Sequence, residues 1–387
     1  MKQKITLLNI KTLTDLALDQ ASPCLSLYQP THRCQPENQQ DQIRFRNLVK
    51  DLEKTLRQKY PSADVSLLLK QFKGLADNQD FWNHTLDGLA VFGGAGLFRV
   101  FMLRRPVAEL AIISNSFHTK PLRHYLQSVH RYQILGLSLN KIQLFEGDRD
   151  MLEEIDLAPG VPRTMTETLG DELTEPHSTV TSHGGIGRAS TPIHHGHGTK
   201  KDTRQIDEDR FFRAIDHAVL EHHSQQSDLP LILAALPEHH HFFREVSHNP
   251  FLMKTTLDFN PDAVPIDELR KRAWQIIQPQ LQMQMAALID SFAVATSKGL
   301  GSDDLEQITK AAIGGKVATL IIEAERHITG RLKDKTGQVE FTDMSQSQEG
   351  DLLDDVGELV RKMGGRVYIM QAELMPVRTG LAATYRH

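Results

Sequence analysis

Apolar residues along this chain recur at helical spacing in some stretches and form short unbroken runs in others. Near the N-terminus the pattern predicts a short helix at Lys11–Leu18, then an apolar strand at Cys24–Tyr28 that stops at Pro30. A long amphipathic helix follows over Asp41–Gln58. Its expected apolar face is Ile43, Leu48, Leu52, Thr55 and Leu56, with Arg44, Arg46, Lys50, Glu53 and Lys54 in water. A second helix is expected at Ser66–Leu75. Gly88–Phe92 and Leu97–Leu103 flank Gly93-Gly94-Ala95-Gly96 as a hairpin. Together these read as an α/β domain over residues 1–126.

Tyr132–Leu139 and Lys141–Glu146 read as strands joined by a short turn, with a third strand at Leu152–Leu157. Periodicity then ceases from about Ala158 to Gln205, a gap far longer than an ordinary connection. Its richest part, Thr181–Arg204, is TSHGGIGRASTPIHHGHGTKKDTR, where five glycines and Pro192 disfavour both helix and strand. Regular spacing resumes in a helix at Asp207–His223, with Phe211, Phe212, Ile215, Ala218, Val219 and His222 along one side. A strand (Leu229–Leu236), a helix (Glu238–Val246) and another strand (Met253–Leu257) complete a mixed sheet over residues 127–263.

A helical connector at Pro265–Thr296 leads into the last part. There the pattern gives a helix (Asp303–Ile313), a strand (Ala318–Glu323), a hairpin around Asp334-Lys335-Thr336-Gly337, a helix (Asp351–Met363) and strands at Arg366–Gln371 and Leu381–Tyr385. That order suits an α-β-α sandwich over residues 264–387. The expected fold class is α/β (α+β), in three domains.

Charge narrows the function. The 387 residues carry 44 basic and 49 acidic side chains, a net charge of −5, so nucleic-acid contact must rest on local patches. No start resembles a signal peptide, and the best apolar run, Met285–Ala295, is interrupted by Asp290. Cys24 and Cys34 are the only cysteines and fit reduced thiols. A soluble cytoplasmic protein is expected, with no membrane or DNA partner. Oligomeric state is not readable.

Three stretches, with the order of elements, carry a resemblance. They are Pro30-Thr31-His32-Arg33, the run Gln40–Leu48 (QDQIRFRNL) and Thr379–Arg386 (TGLAATYR). In these the chain resembles the bacterial archaeo-eukaryotic-type release factors, the family numbered three, relatives of the archaeal and eukaryotic peptide chain release factor and of Pelota. The resemblance implies a ribonuclease H-like central domain, whose Gly-Gly-Gln loop enters the peptidyl-transferase centre, and an L7Ae-like C-terminal domain. It implies the ribosome, or its RNA and tRNA, as partner. Here the matching tip is Gly184-Gly185-Ile186, without the glutamine. Asn9-Ile10-Lys11-Thr12 superficially resembles a stop-codon-reading element but sits too near the N-terminus, so codon reading is not expected.

The expected chemistry follows. His183, Gly184 and Gly185 form the expected catalytic tip, where backbone amides position water or an oxyanion for peptidyl-tRNA ester hydrolysis. Lys200, Lys201 and Arg204, with His194, His195 and His197, are the RNA-binding candidates. The bland alternative is a solvated loop. Zinc on His183, His194, His195 and His197 lacks a recognised ligand spacing, so no metal and no cofactor is expected. Glu146, Asp148 and Asp150 cluster at a turn, which reads as a hairpin end rather than a nuclease centre. In the N-terminal domain Thr31, His32, Arg33, Arg44 and Asn47, with Asp41, outline either a polar pocket for phosphate or RNA or a hydrogen-bond network anchoring a loop. The expected function is release-factor-like action at the ribosome, in rescue or peptide release. The alternatives are a non-enzymatic ribosome- or RNA-binding stress or translation-regulating factor and, third, a metal-dependent hydrolase.

Overall fold

The computed structural model describes residues 5–6, 8–18, 22–60, 64–94, 96–139, 141–170, 199–332, 339–341 and 350–386, without the side chains of 199–205 and 331. The chain forms two compact units: Met1–Ser128 together with Gln284–His387, and Val129–Met283.

The N-terminal part of the first unit runs α1 (Ile10–Leu18), β1 (Cys24–Pro30), α2 (Gln39–Lys59), α3 (Val65–Ala76), α4 (Gln79–Trp82), β2 (Gly88–Gly94), β3 (Leu97–Leu103), β4 (Leu110–Ser114) and α5 (Lys120–Ser128). Its antiparallel sheet has the order β3-β2-β1-β4. Both faces are covered, which explains the apolar run of the central strand β1: α2 and α3 pack on one side, α1 and α5 on the other. The predicted hairpin forms. One face assignment is corrected. The buried stripe of α2 is Asp41, Phe45, Leu48, Val49, Leu52 and Leu56, whereas Ile43 is exposed. Ile43 lies about 200° around the helix from Phe45 and cannot share its face. The pattern Asn9-Ile10-Lys11-Thr12 is a helix start: Asn9 Oδ1 accepts from Thr12 N (2.8 Å) and Thr12 Oγ1 accepts from Asn9 N (3.0 Å).

The second unit runs β5 (Tyr132–Leu137), β6 (Ile142–Gly147), β7 (Leu152–Ile155), α6 (Met165–Leu169), α7 (Thr199–Val219), a π-helical turn (Leu220–Ser224), α8 (Gln225–Ser227), β8 (Leu231–Ala235) and α9 (Pro237–Val246), and ends within α10 (Ile266–Ser297). Its sheet, β7-β6-β5-β8, is antiparallel except for the parallel β5–β8 pair, the mixed order the sequence predicts. Phe211, Phe212, Ile215 and Val219 of α7 cover one face, and Leu269, Ala273 and Ile277 of α10 the other. Two boundaries differ from expectation. Helix α7 begins at Thr199 rather than Asp207, because Lys-Lys-Asp-Thr-Arg-Gln is good helix sequence with no apolar period to reveal it. Met253–Leu257 is not a strand. Its backbone pairing with β8 is confined to the isolated bridges Leu231–Leu252 and Ala234–Leu257 at its two ends.

The remainder of the first unit contains β9 (Gly301–Ser302), α11 (Leu305–Ile313), β10 (Val317–Glu323), β11 (Gly330–Leu332), β12 (Val339–Phe341), α12 (Leu352–Lys362), β13 (Arg366–Met370) and β14 (Leu381–Tyr385). The sheet β13-β10-β14-β9 has α11 and α12 on one face and Phe292 of α10 on the other, the expected α-β-α layering. No described helix is long and apolar enough to cross a membrane.

Candidate functional site

The base of the long predicted loop lies in the second unit. Short helix α6 is begun by Thr164, whose Oγ1 accepts from Glu167 N (3.1 Å), while Glu167 reaches back to Arg163 N (2.7 Å). Arg163 O accepts from Ile142 N (3.0 Å), which ties this start to the β5–β6 hairpin. Against α6 lies the second half of α7. Between them is an open groove of about 570 Å³, edged by Gly160, Glu167, Thr168, His217, Glu221 and His222. Gly160 has φ +98°, a conformation that side-chain-bearing residues rarely adopt. The π-helical turn rotates the chain just past α7 and sets His222 on the groove. Its neighbour His223 accepts through Nε2 from Ala158 N (3.1 Å). Burial first, and then His222, lowers the His223 pKa, which favours the unprotonated Nε2 that this bond requires. The helix is about 30 Å long, so its N-terminal turns extend well past the stretch that lines the groove.

His183, Gly184, Gly185, His194, His195 and His197 lie outside the described residues. Lys200, Lys201 and Arg204 fall in the opening turns of α7, on helix rather than loop. There the positive end of the helix dipole adds to their charge. Among the described residues, no three His, Cys, Asp or Glu form a group that could hold a metal ion. Asp148 instead accepts from Asp150 N (2.7 Å) and Met151 N (3.2 Å) to close a turn, and Glu146 pairs with Arg131 and Gln133.

Of the N-terminal polar residues, His32 and Arg44 gather on one carboxylate. Asp41, fully buried at the start of α2, accepts from His32 N (2.7 Å), His32 Nδ1 (2.9 Å) and Arg44 Nη1 (3.2 Å). A carboxylate only accepts, so His32 carries its proton on Nδ1. Arg33 forms a fork on Asp87 (2.9 and 2.5 Å), and Thr31 Oγ1 donates to Leu86 O (2.8 Å). Arg44 Nε also reaches Glu109 (3.4 Å). Two arginines thus face three carboxylates, a balance that disfavours phosphate and suits anchoring the segment after β1. Asn47 is exposed and stands outside the cluster.

Sequence reasoning missed a third concentration, inside the first unit. Asp351 caps α12 through Leu353 N (3.1 Å), accepts from Ile328 N (3.1 Å) and pairs with buried Lys120 (2.6 Å). Thr119 N donates to Asp354 (2.9 Å), Ser116 Oγ to Asp355 (3.0 Å), and Arg123 pairs with Glu358. Burial works to raise the Asp354 carboxyl, but His118, Thr119 N–H and Lys120 hold it below its usual range. Burial first, and then the Asp354 charge, push Asp355 up to about 7. The available signal was the acid spacing 351, 354, 355, 358 opposite Lys120-x-x-Arg123, but partners more than 200 residues apart leave no local trace. Each of these carboxylates has a donor in place, so the arrangement fastens helices rather than awaiting a ligand.

Residues 131–316 match bacterial archaeo-eukaryotic release factor family 3. Among solved structures, the chain is similar to an archaeal translation termination factor, aRF1, at 16% identity over 97% of this chain and 96% of that one, with a TM-score of 0.25. It is also similar to a ribosome-bound archaeal Pelota described with ABCE1 (14% identity, 75% and 72% covered, TM-score 0.40). Pelota of Archaeoglobus fulgidus is a further similar structure (14%, 77% and 79%, TM-score 0.31). No curated protein matches the sequence.

Proposed function

We infer, from the match of residues 131–316 to bacterial archaeo-eukaryotic release factor family 3, that this protein acts at the ribosome through the chain between α6 and α7. The observation that carries this reading is the extent of the match, whose bounds enclose sheet, groove, loop and α7. Peptide release is attack of water on an ester. The amides around His183, Gly184 and Gly185 would bind the developing oxyanion and position the water, with no strong side-chain base needed. Lys200, Lys201 and Arg204 on the first turns of α7 would neutralise RNA phosphates beside the tip. Stop codons would not be read, since the Asn9–Thr12 pattern is occupied in starting α1.

A second reading has its own observation. Ile186 stands where the tip glutamine is expected, which favours ribosome binding without hydrolysis. The separating experiment mixes purified protein with stalled ribosomes carrying labelled peptidyl-tRNA. Release by the natural chain, lost in Gly184→Ala/Gly185→Ala, supports hydrolysis. Co-sedimentation without release supports the binding factor. No association with ribosomes at moderate salt rejects both.

A further inference from the structure

The strongest unassigned feature is a cationic face on the N-terminal part of the first unit. On α2, Arg46, Lys50, Lys54 and Arg57 recur at one-turn intervals and are all exposed. At 100° per residue they occupy an arc of about 80°, along about 17 Å of helix. That arc lies away from the buried stripe through Phe45, Val49 and Leu52, so the four side chains lie on the solvent side of the helix. Helix α3 runs antiparallel beside it: Lys73 meets Glu53 (2.8 Å) and Asp77 meets Arg46 (3.1 Å). Lys70, one turn before Lys73 on the same flank, therefore stands level with Arg57.

Six cations thus share a face with two carboxylates, Glu53 and Asp77, while Asp51 sits at the edge. Arg46, Arg57 and Lys73 are partly neutralised by those acids. Lys50, Lys54 and Lys70 have no carboxylate partner among the described residues. A shallow groove of about 440 Å³ runs along Lys50, Glu53, Lys54, Arg57 and Gln58, three cations to one acid. Such a concentration departs from a chain whose net charge is −5.

We propose that this face binds the sugar–phosphate backbone of RNA without reading sequence. Three features select that partner. The cations are spaced about 6 Å apart along a rigid axis, which suits a regular ladder of phosphates. The large apolar side chains exposed on α2 and α3, Ile43 and Leu67, stand singly at the two ends of the face, outside the run from Arg46 to Gln58, too few to anchor it in a lipid surface. No aromatic side chain is exposed on this stretch for stacking, so recognition stays with the phosphates. The proposal deepens the ribosomal reading by adding a contact remote in sequence from the loop.

The test titrates the full chain with a short fluorescein-labelled single-stranded RNA of mixed sequence, across a series of potassium chloride concentrations. Alongside the natural chain runs Lys50→Gln/Lys54→Gln/Lys70→Gln, with its fold checked by thermal melting. These are exposed positions, so the melting curve should not move. The expected result is about a tenfold weaker affinity and a log–log salt slope flatter by about 2, as three lost phosphate contacts require. Equal affinity and slope in the two proteins overturns the proposal, as does tighter binding of the natural chain to phosphatidylserine vesicles than to RNA. Pelleting with ribosomes separates the two readings. A natural chain that binds the RNA but never pellets removes the ribosomal role and keeps this surface. A triple variant indistinguishable from the natural chain in both assays removes this surface and keeps the ribosomal role.

Discussion

The groove between α6 and α7 in the second unit and the buried charge cluster of the first both gather titratable side chains, in opposite circumstances. Lys120, Asp351 and Asp354 are each almost wholly out of water and already hydrogen-bonded. Around Gly160, His217 and His222, the groove is open, and its polar side chains face solvent. Density of titratable groups therefore does not mark function here. Saturated partners mark a fastening, and open polar surface beside unusual backbone marks the place where chemistry can occur.

The largest effect should come from breaking the fastening. Lys120→Met would leave the buried Asp351 charge without its cation, and urea unfolding should show a loss of about 3–5 kcal/mol. Next is a pH effect. The Asp355 carboxyl lies at about 7 in the folded chain against an ordinary 3.8, so between those values the folded chain keeps a proton the unfolded chain has lost. Stability from this group must fall as pH rises through that window and level off above it. Asp355→Asn can still accept from Ser116 and carries no charge. It should be more stable than the natural chain above pH 7 by about 2–4 kcal/mol, the difference vanishing near the ordinary carboxyl value. Melting curves across pH would show it, and parallel curves for the two proteins would refute the assignment.

Substitutions at the groove should cost less. Gly160→Ala places a side chain at φ +98° and should cost about 1–2 kcal/mol, read by denaturant titration; the new methyl would only touch His222. Thr164→Ala removes the α6 cap and should cost about 1 kcal/mol. Its signature is faster amide exchange at Glu167 with none at α12.

Much of the architecture was legible because alternation and turn chemistry are local. The β2–β3 hairpin, the β5–β6 pair and the closing strand β14 all fall where the apolar runs place them. The failures have physical causes. Ile43 was read inside because it is apolar, yet the helix period assigns that face to Phe45. The first turns of α7 are polar all round and give no moment to detect. Met253–Leu257 has strand-like composition, but it leaves β8 between its two bridges, so Lys254–Thr256 makes no ladder. Of the N-terminal candidates, His32 and Arg44 meet at Asp41, Arg33 lies on Asp87 and Asn47 stands apart. Their meaning depended on Asp87 and Glu109, which only folding brings beside Arg33 and Arg44.

The most direct measurement compares the two regions in one assay. Peptide release from stalled ribosomes would be timed for the natural chain, for Asp355→Asn and for Gly184→Ala/Gly185→Ala, each verified as folded. The expected result is release at the natural rate by the Asp355 variant and none by the glycine variant. The contradictory result is release by the glycine variant at the natural rate, or its loss in a fully folded Asp355 variant.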